Sequence, residues 1–198
     1  IGQTWPSEMR TFRDPKTGRS VTQLTSTGNN FHLYFTENSF DLHKNELIFL
    51  SDRASGQDRL PHEHPHYNIF RMHLGSGLIT QLTDEAANAG EPGGCTKTPD
   101  SAIVVYKVGN QIKRLDPSTG EITVLYTETG NFELGMSSIA ANRRYIAFCR
   151  NEIVEAPEGP NYTGFKESFY RIKDGRVTVA YLDGSGWFDI HRDTHWLG

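Results

Sequence analysis

Cysteine is scarce, with two in 198 residues. Cys95 and Cys149 stand far apart and show no metal-ligand spacing, so neither a disulfide framework nor a thiolate metal site organises this chain. Such cysteine usage makes a reducing, cytoplasmic compartment the expectation, with a periplasmic one left open. No apolar run approaches the length of a membrane span. Positive charge is not in surplus: 20 Lys and Arg stand against 24 Asp and Glu, for a formal net charge of −4. That balance argues against nucleic acid as the partner. The chain also lacks a Gly-Xaa-Ser-Xaa-Gly nucleophile motif, a Walker loop and a dinucleotide fingerprint.

What the chain has is glycine-punctuated alternation. One pattern occurs as Thr17-Gly-Arg-Ser-Val-Thr-Gln-Leu-Thr, Ser76-Gly-Leu-Ile-Thr-Gln-Leu-Thr-Asp, Thr119-Gly-Glu-Ile-Thr-Val-Leu-Tyr and Asp174-Gly-Arg-Val-Thr-Val-Ala-Tyr. A polar residue precedes a glycine, which supplies the positive φ of a tight turn. An alternating strand with one buried face then follows. The glycines recur at intervals of 59, 43 and 55 residues. Strand-rich repeats of roughly 40–50 residues point to a β-propeller. The expected fold is all-β, with blades of four antiparallel strands at about 31–84, 92–127 and 134–183. Residues 17–25 are expected to be the closing strand of the last blade, and 187–198 the start of a further one. On this reading the chain is the N-terminal portion of a larger ring, and the remaining blades are its first partner. A compact all-β domain ending at residue 198 is the plainer alternative.

Propeller connections alternate between two ends. Here the first-to-second and third-to-fourth turns are short, as at Leu42–Glu46, Pro99–Ser101, Ala141–Arg144 and the four glycine turns. The other set holds the extra length: Arg53–His66, Glu85–Gly94, Thr129–Glu133, Arg150–Lys166 and Gly184–Thr194. Long loops on a rigid scaffold are where binding and catalysis concentrate. These loops carry Arg53, Arg59, Arg150 and Lys166 with aromatic residues such as Tyr67, Tyr162, Phe165, Trp187 and Trp196. Guanidinium forks pair with carboxylates and flat rings stack on sugar faces, so the combination suits an acidic saccharide. The alternative for each charge is plain solvation. The run His62-Glu-His-Pro-His66 could chelate a divalent ion, but its proline and polar flanks fit an exposed histidine cluster better.

The chain resembles the oligogalacturonate lyase family. The resemblance rests on Trp5-Pro-Ser-Glu, Phe12-Arg-Asp-Pro-Lys-Thr-Gly, His32-Leu-Tyr-Phe-Thr-Glu-Asn-Ser-Phe and Leu47-Ile-Phe-Leu-Ser-Asp-Arg53. Gly77-Leu-Ile-Thr-Gln-Leu-Thr-Asp84 and His195-Trp-Leu-Gly198 extend it. It implies a seven-bladed propeller that cleaves short oligogalacturonides by β-elimination, as in pectin degradation. The chemistry removes the C5 proton beside the uronate carboxylate and expels the C4 oxygen. It also implies manganese, with metal ligands and catalytic residues in the later blades, after Gly198. No catalytic or metal residue is therefore carried onto this chain. The substrate-binding candidates are His32, Arg53, Arg150 and Lys166, with His32 near the central axis. The long 151–166 loop leaves other uronate-bearing oligosaccharides open as substrates. A non-catalytic interaction platform and the propeller of a peptidase are the competing functions.

Overall fold

A strand buried on both faces reads as a continuous apolar run, and the segments Glu46–Ser51 and Val104–Val108 do so because each is packed on both sides. The computed structural model describes residues 2–34, 36–55, 66–89, 94–155 and 169–197. The strands are β1 (Thr4–Trp5), β2 (Arg10–Arg13), β3 (Ser20–Gln23), β4 (Asn30–His32), β5 (Phe40–Asp41) and β6 (Glu46–Ser51). They continue as β7 (Asn68–His73), β8 (Ile79–Gln81), β9 (Cys95–Lys97), β10 (Val104–Val108), β11 (Gln111–Leu115) and β12 (Ile122–Thr127). The last are β13 (Phe132–Ile139), β14 (Tyr145–Glu152), β15 (Gly175–Tyr181) and β16 (Trp187–Asp193).

These strands form three antiparallel blades. The first runs β4/β5-β6-β7-β8 from its inner to its outer edge, with β1 added outside β8; the second runs β9-β10-β11-β12 and the third β13-β14-β15-β16. Strands β2 and β3 make a separate hairpin, and β3, within the 17–25 segment, pairs with β2. The inner strands β9 and β13 touch. Thr96 Oγ1 of β9 donates to Glu37 Oε2, in the segment between β4 and β5, at 2.9 Å.

Alternate residues of one strand feed different cores. On β6, Ile48 and Leu50 join Val104 and Tyr106 of the second blade. Leu47 and Phe49 face the other way, against Phe70 and Ile79, with Trp5 and Leu24 of the N-terminal segment packed on them. On β10, Val105 turns from the first blade toward Ile146 and Phe148 of the third. Each such side chain contributes about 1.5–3 kcal/mol by burial. The far face of the third blade, with Tyr145, Ala147, Val179 and Phe188, lines an open cavity of about 390 Å³.

The third blade departs from the expected phase. Residues 187–193 are its outer strand, paired with β15 in the register Ala180↔Trp187 to Gly175↔Asp193, and do not start another blade. Segment 169–171, inside the expected 134–183 blade, is a helical turn. Gly18, Gly77 and Gly120 do occupy turns at φ +68°, +72° and +77°. Gly175 does not; the fourth turn uses Gly184 and Gly186 instead, and Tyr181 N donates to Gly186 O at 2.9 Å.

Gly175 is needed for a different reason. A Cβ there would meet His195 O at 2.2 Å and the Leu197 side chain at 3.1 Å, because the 195–197 segment crosses directly over it. Backbone cannot yield as a flexible side chain can. Gly175→Ala is expected to destabilise the fold by about 1–3 kcal/mol through overpacking. Thermal melting checks this against Gly109→Ala, which meets open space but carries the strain of φ +55°.

Candidate functional site

The antiparallel registers give every blade two unlike ends. At one end lie the turns 42–45, 75–77, 99–102, 117–120, 141–144 and 183–186, all short. At the other lie the links that follow β6, β8, β12 and β14, including the long ones. Arg53 follows β6 and Arg150 stands near the end of β14, so both lie at the long-loop end. Lys166 lies outside the described residues, as do Arg59, His62 and His64.

Neither arginine is free to meet a ligand, the role their positions suggested. The Arg53 side chain is 3% exposed and forms an ion pair with Glu8 at 3.0 Å. It also donates to Asn30 Oδ1 at 2.8 Å and Ser51 Oγ at 3.1 Å, and lies over the rings of Phe49 and Phe70. Burial pulls this guanidinium below its ordinary pKa, against the pull of Glu8 and Asp52. Burial alone would raise the Glu8 carboxyl. Hydrogen bonds from the Thr27 hydroxyl and the Ser26 and Thr27 N–H groups, with the Arg53 charge, hold it below its usual range. Arg53 thus ties the N-terminal segment to the first blade.

Arg150 does the same between later blades. Its Nε donates to Glu128 Oε2 at 2.7 Å and its NH1 to Asp189 Oδ1 at 3.1 Å, with the side chain 6% exposed. Its guanidinium lies among the rings of Phe132, Tyr126 and Trp187, at 4.8, 5.2 and 5.5 Å. Asp189 leads on to Arg176, and Arg176 shares Asp174 with Arg192, so opposite charges alternate across β15 and β16.

Sequence reasoning missed the acidic half of these pairs. Glu8, Glu85 and Glu128 serve successive junctions. Glu85, after the outer strand of the first blade, accepts from Tyr106 at 2.6 Å and from Lys113 at 2.9 Å on the second. Glu128, after the outer strand of the second blade, accepts from Tyr126 at 2.7 Å and from Arg150. A readable signal existed: a glutamate shortly after an outer strand, at Glu85 and Glu128.

His32 is placed differently. It is exposed on β4, the inner edge of the first blade. Its Nδ1 sits against the Leu33 carbonyl, which can only accept, so Nδ1 is committed as a donor there and Nε2 is the ring nitrogen left for a ligand. His66, from the histidine run, is not exposed in the same way: its Nε2 donates to the Glu85 carbonyl at 2.7 Å. Among the described residues, no group of three or more His, Cys, Asp or Glu side chains is placed to hold a metal ion. Cys95 is fully buried, and burial pushes its thiol up to about 12, so it is an inert core residue.

Two oligogalacturonate lyases superpose on the whole of this chain. One, solved in complex with manganese, matches with a TM-score of 0.80 at 21% identity. The other, from Vibrio parahaemolyticus, matches with a TM-score of 0.82 at 20% identity. The fold is that of half an oligogalacturonate lyase. In both comparisons the chain spans 50% of the lyase's length. A protein of Agrobacterium tumefaciens described as a putative TolB matches less closely, with a TM-score of 0.54 at 13% identity over 94% of this chain and 61% of its own. No protein-family model and no curated protein sequence matches the chain. Within the half-lyase fold, the three blades hold one exposed inner-edge histidine at the residues singled out, and two arginines that fix blade against blade.

Proposed function

We propose that residues 1–198 form one wall of the substrate pocket of a lyase that cleaves uronate-containing oligosaccharides by β-elimination, with short oligogalacturonides as the leading substrate. The observation that carries this reading is the whole-chain superposition on half of two oligogalacturonate lyases. The gathering of the long connections at one end supports it.

The reaction removes a weakly acidic C5 proton next to a carboxylate and breaks the C4–O bond. The chain's own part is to bind and orient. His32 offers its Nε2 to a sugar hydroxyl, and Lys166 offers a cation to a uronate carboxylate. Arg53 and Arg150 act one step back as positioning residues that set the spacing of the blades bearing those groups. Manganese, which the resemblance implies, finds no donor set among the described residues. The base and any metal are assigned to the part of the ring that this chain does not include. A positioned base is what proton abstraction requires.

The test is the ultraviolet absorbance of the 4,5-unsaturated uronate formed from digalacturonate. Residues 1–198 alone are expected to give no turnover, with or without manganese. The ring completed by its further blades is expected to give turnover that a chelator abolishes. Metal-dependent turnover by residues 1–198 alone would return attention to His62, His64 and His66. A completed ring silent on every uronate oligosaccharide would end the lyase reading in favour of an interaction platform.

A further inference from the structure

Three arginines meet at the end of the molecule opposite the long loops. Arg114 of β11, with Arg143 and Arg144 of the β13–β14 turn, lines a cavity of about 360 Å³ between the second and third blades. Ile103, Leu182 and Asp183 also line it. Asp100 and Asp116, outside the lining, act on Arg143 and Arg114, and among the lining residues three arginines stand with one carboxylate, Asp183.

That carboxylate is already engaged. Ser185 N donates to Asp183 Oδ1 at 2.9 Å, and hydrogen bonds from Ser185 hold Asp183 below its usual range. The arginines are less committed. Arg144 lies 5.7 Å from the Tyr145 ring centroid, and its guanidinium makes no hydrogen bond among the described residues. Arg143 pairs with Asp100 at 2.7 Å, but the two side chains are 47% and 42% exposed. Such a pair is weak and exchanges readily. Arg114 is anchored, donating from NH1 to Leu182 O at 3.1 Å, while its buried Nε has no partner.

The turn that carries Arg143 has the backbone of its counterparts in the other blades. The equivalent turns of the three blades each place one residue at positive φ: Asn45 at 56°, Ser101 at 50° and Arg143 at 56°. Asparagine suits that region through local hydrogen bonding, whereas arginine gains nothing there.

We propose that this cavity binds the phosphate group of a small phosphorylated sugar. A phosphate monoester carries close to two negative charges at neutral pH, and three arginines line the cavity that would receive it. Arginine forks pair well with its oxygens. The cavity exceeds the needs of bare phosphate, and Ile103 and Leu182 among its lining residues leave room beside the arginines for a sugar. The site does not depend on the lyase reading, since it lies on the opposite end and takes a different anion.

Calorimetric titration of the 198-residue chain at low salt, with inorganic phosphate and with glucose 6-phosphate, tests it. Saturable binding of the sugar phosphate is expected, with weaker binding of inorganic phosphate. Arg144→Gln and Arg143→Gln should each weaken it about tenfold. Lys16→Gln, which removes one charge from an exposed turn of the β2–β3 hairpin, should leave it unchanged. Equal affinity for both probes, with the same sensitivity to the arginine variants, would keep the anion site and assign it to free phosphate. The absence of saturable heat with either probe overturns the proposal. So does wild-type binding by both arginine variants while circular dichroism shows them folded.

Discussion

Replacing Arg150 by alanine is expected to cost about 3–5 kcal/mol of stability, seen as a fall in melting temperature of roughly 10 °C at this chain length. The cost comes from what is left behind. Glu128 is 3% exposed and would lose its ion pair. Asp189 would lose one of its two arginines, and three aromatic rings would lose the cation they surround. Removing both members tests this account of the loss. The double variant Glu128→Leu with Arg150→Met should recover most of the stability, because a buried pair replaced by apolar side chains of similar volume is often neutral. A double variant as unstable as Arg150→Ala would show that the pair is not the source.

The deficit also depends on pH. Burial alone would raise the Glu128 carboxyl, but Arg150, Tyr126 and the Gly130 N–H together hold it below its ordinary value of 4.5. A folded pKa below the unfolded one contributes stability that is present above the unfolded value and lost as pH falls through the folded value. Without Arg150, burial dominates and Glu128 takes up a proton more readily. The gap between wild type and Arg150→Ala should therefore be widest near pH 7 and narrow below about pH 4.5. Denaturant midpoints across that range measure it.

The fold was legible wherever turn chemistry and alternation agreed. Gly18, Gly77 and Gly120 take the positive φ their repeats imply. The fourth repeat misled because Asp174-Gly175 looks like a turn, while Asp174 is in fact committed to Arg176 and Arg192. Gly175 answers to the chain crossing over it, a long-range contact that no local pattern carries. Asp183-Gly184-Ser-Gly186 was the better turn signal and was overlooked. The addition of β1 to the outer edge of the first blade was also out of reach, since two residues of strand leave no periodicity.

The site was legible as a face but not as a set of residues. Loop length separates the two ends from sequence alone except in the third blade, where Gly175 falls at the long-loop end and 183–186 at the short-turn end. Whether an arginine at that end meets solvent or a buried glutamate depends on which links pass over it. Arg53 needs Glu8, 45 residues away, and Arg150 needs Glu128, 22 residues away. Such pairings appear only once the blades are stacked.

His32 and Arg150 should therefore fail in opposite ways, and digalacturonate titration combined with thermal melting separates them. Each is assayed in the 198-residue chain below its melting temperature. His32 is exposed and packs into no core cluster, so His32→Ala should leave the melting temperature unchanged. The same variant should weaken digalacturonate binding about tenfold, the worth of one hydrogen bond to a ligand in a site built for it. Arg150→Ala should show the reverse: a large fall in melting temperature with unchanged affinity per folded molecule. Wild-type digalacturonate binding by His32→Ala would contradict the account. An Arg150→Ala chain with unchanged melting and lost affinity would contradict it equally, by restoring Arg150 to direct contact with the substrate.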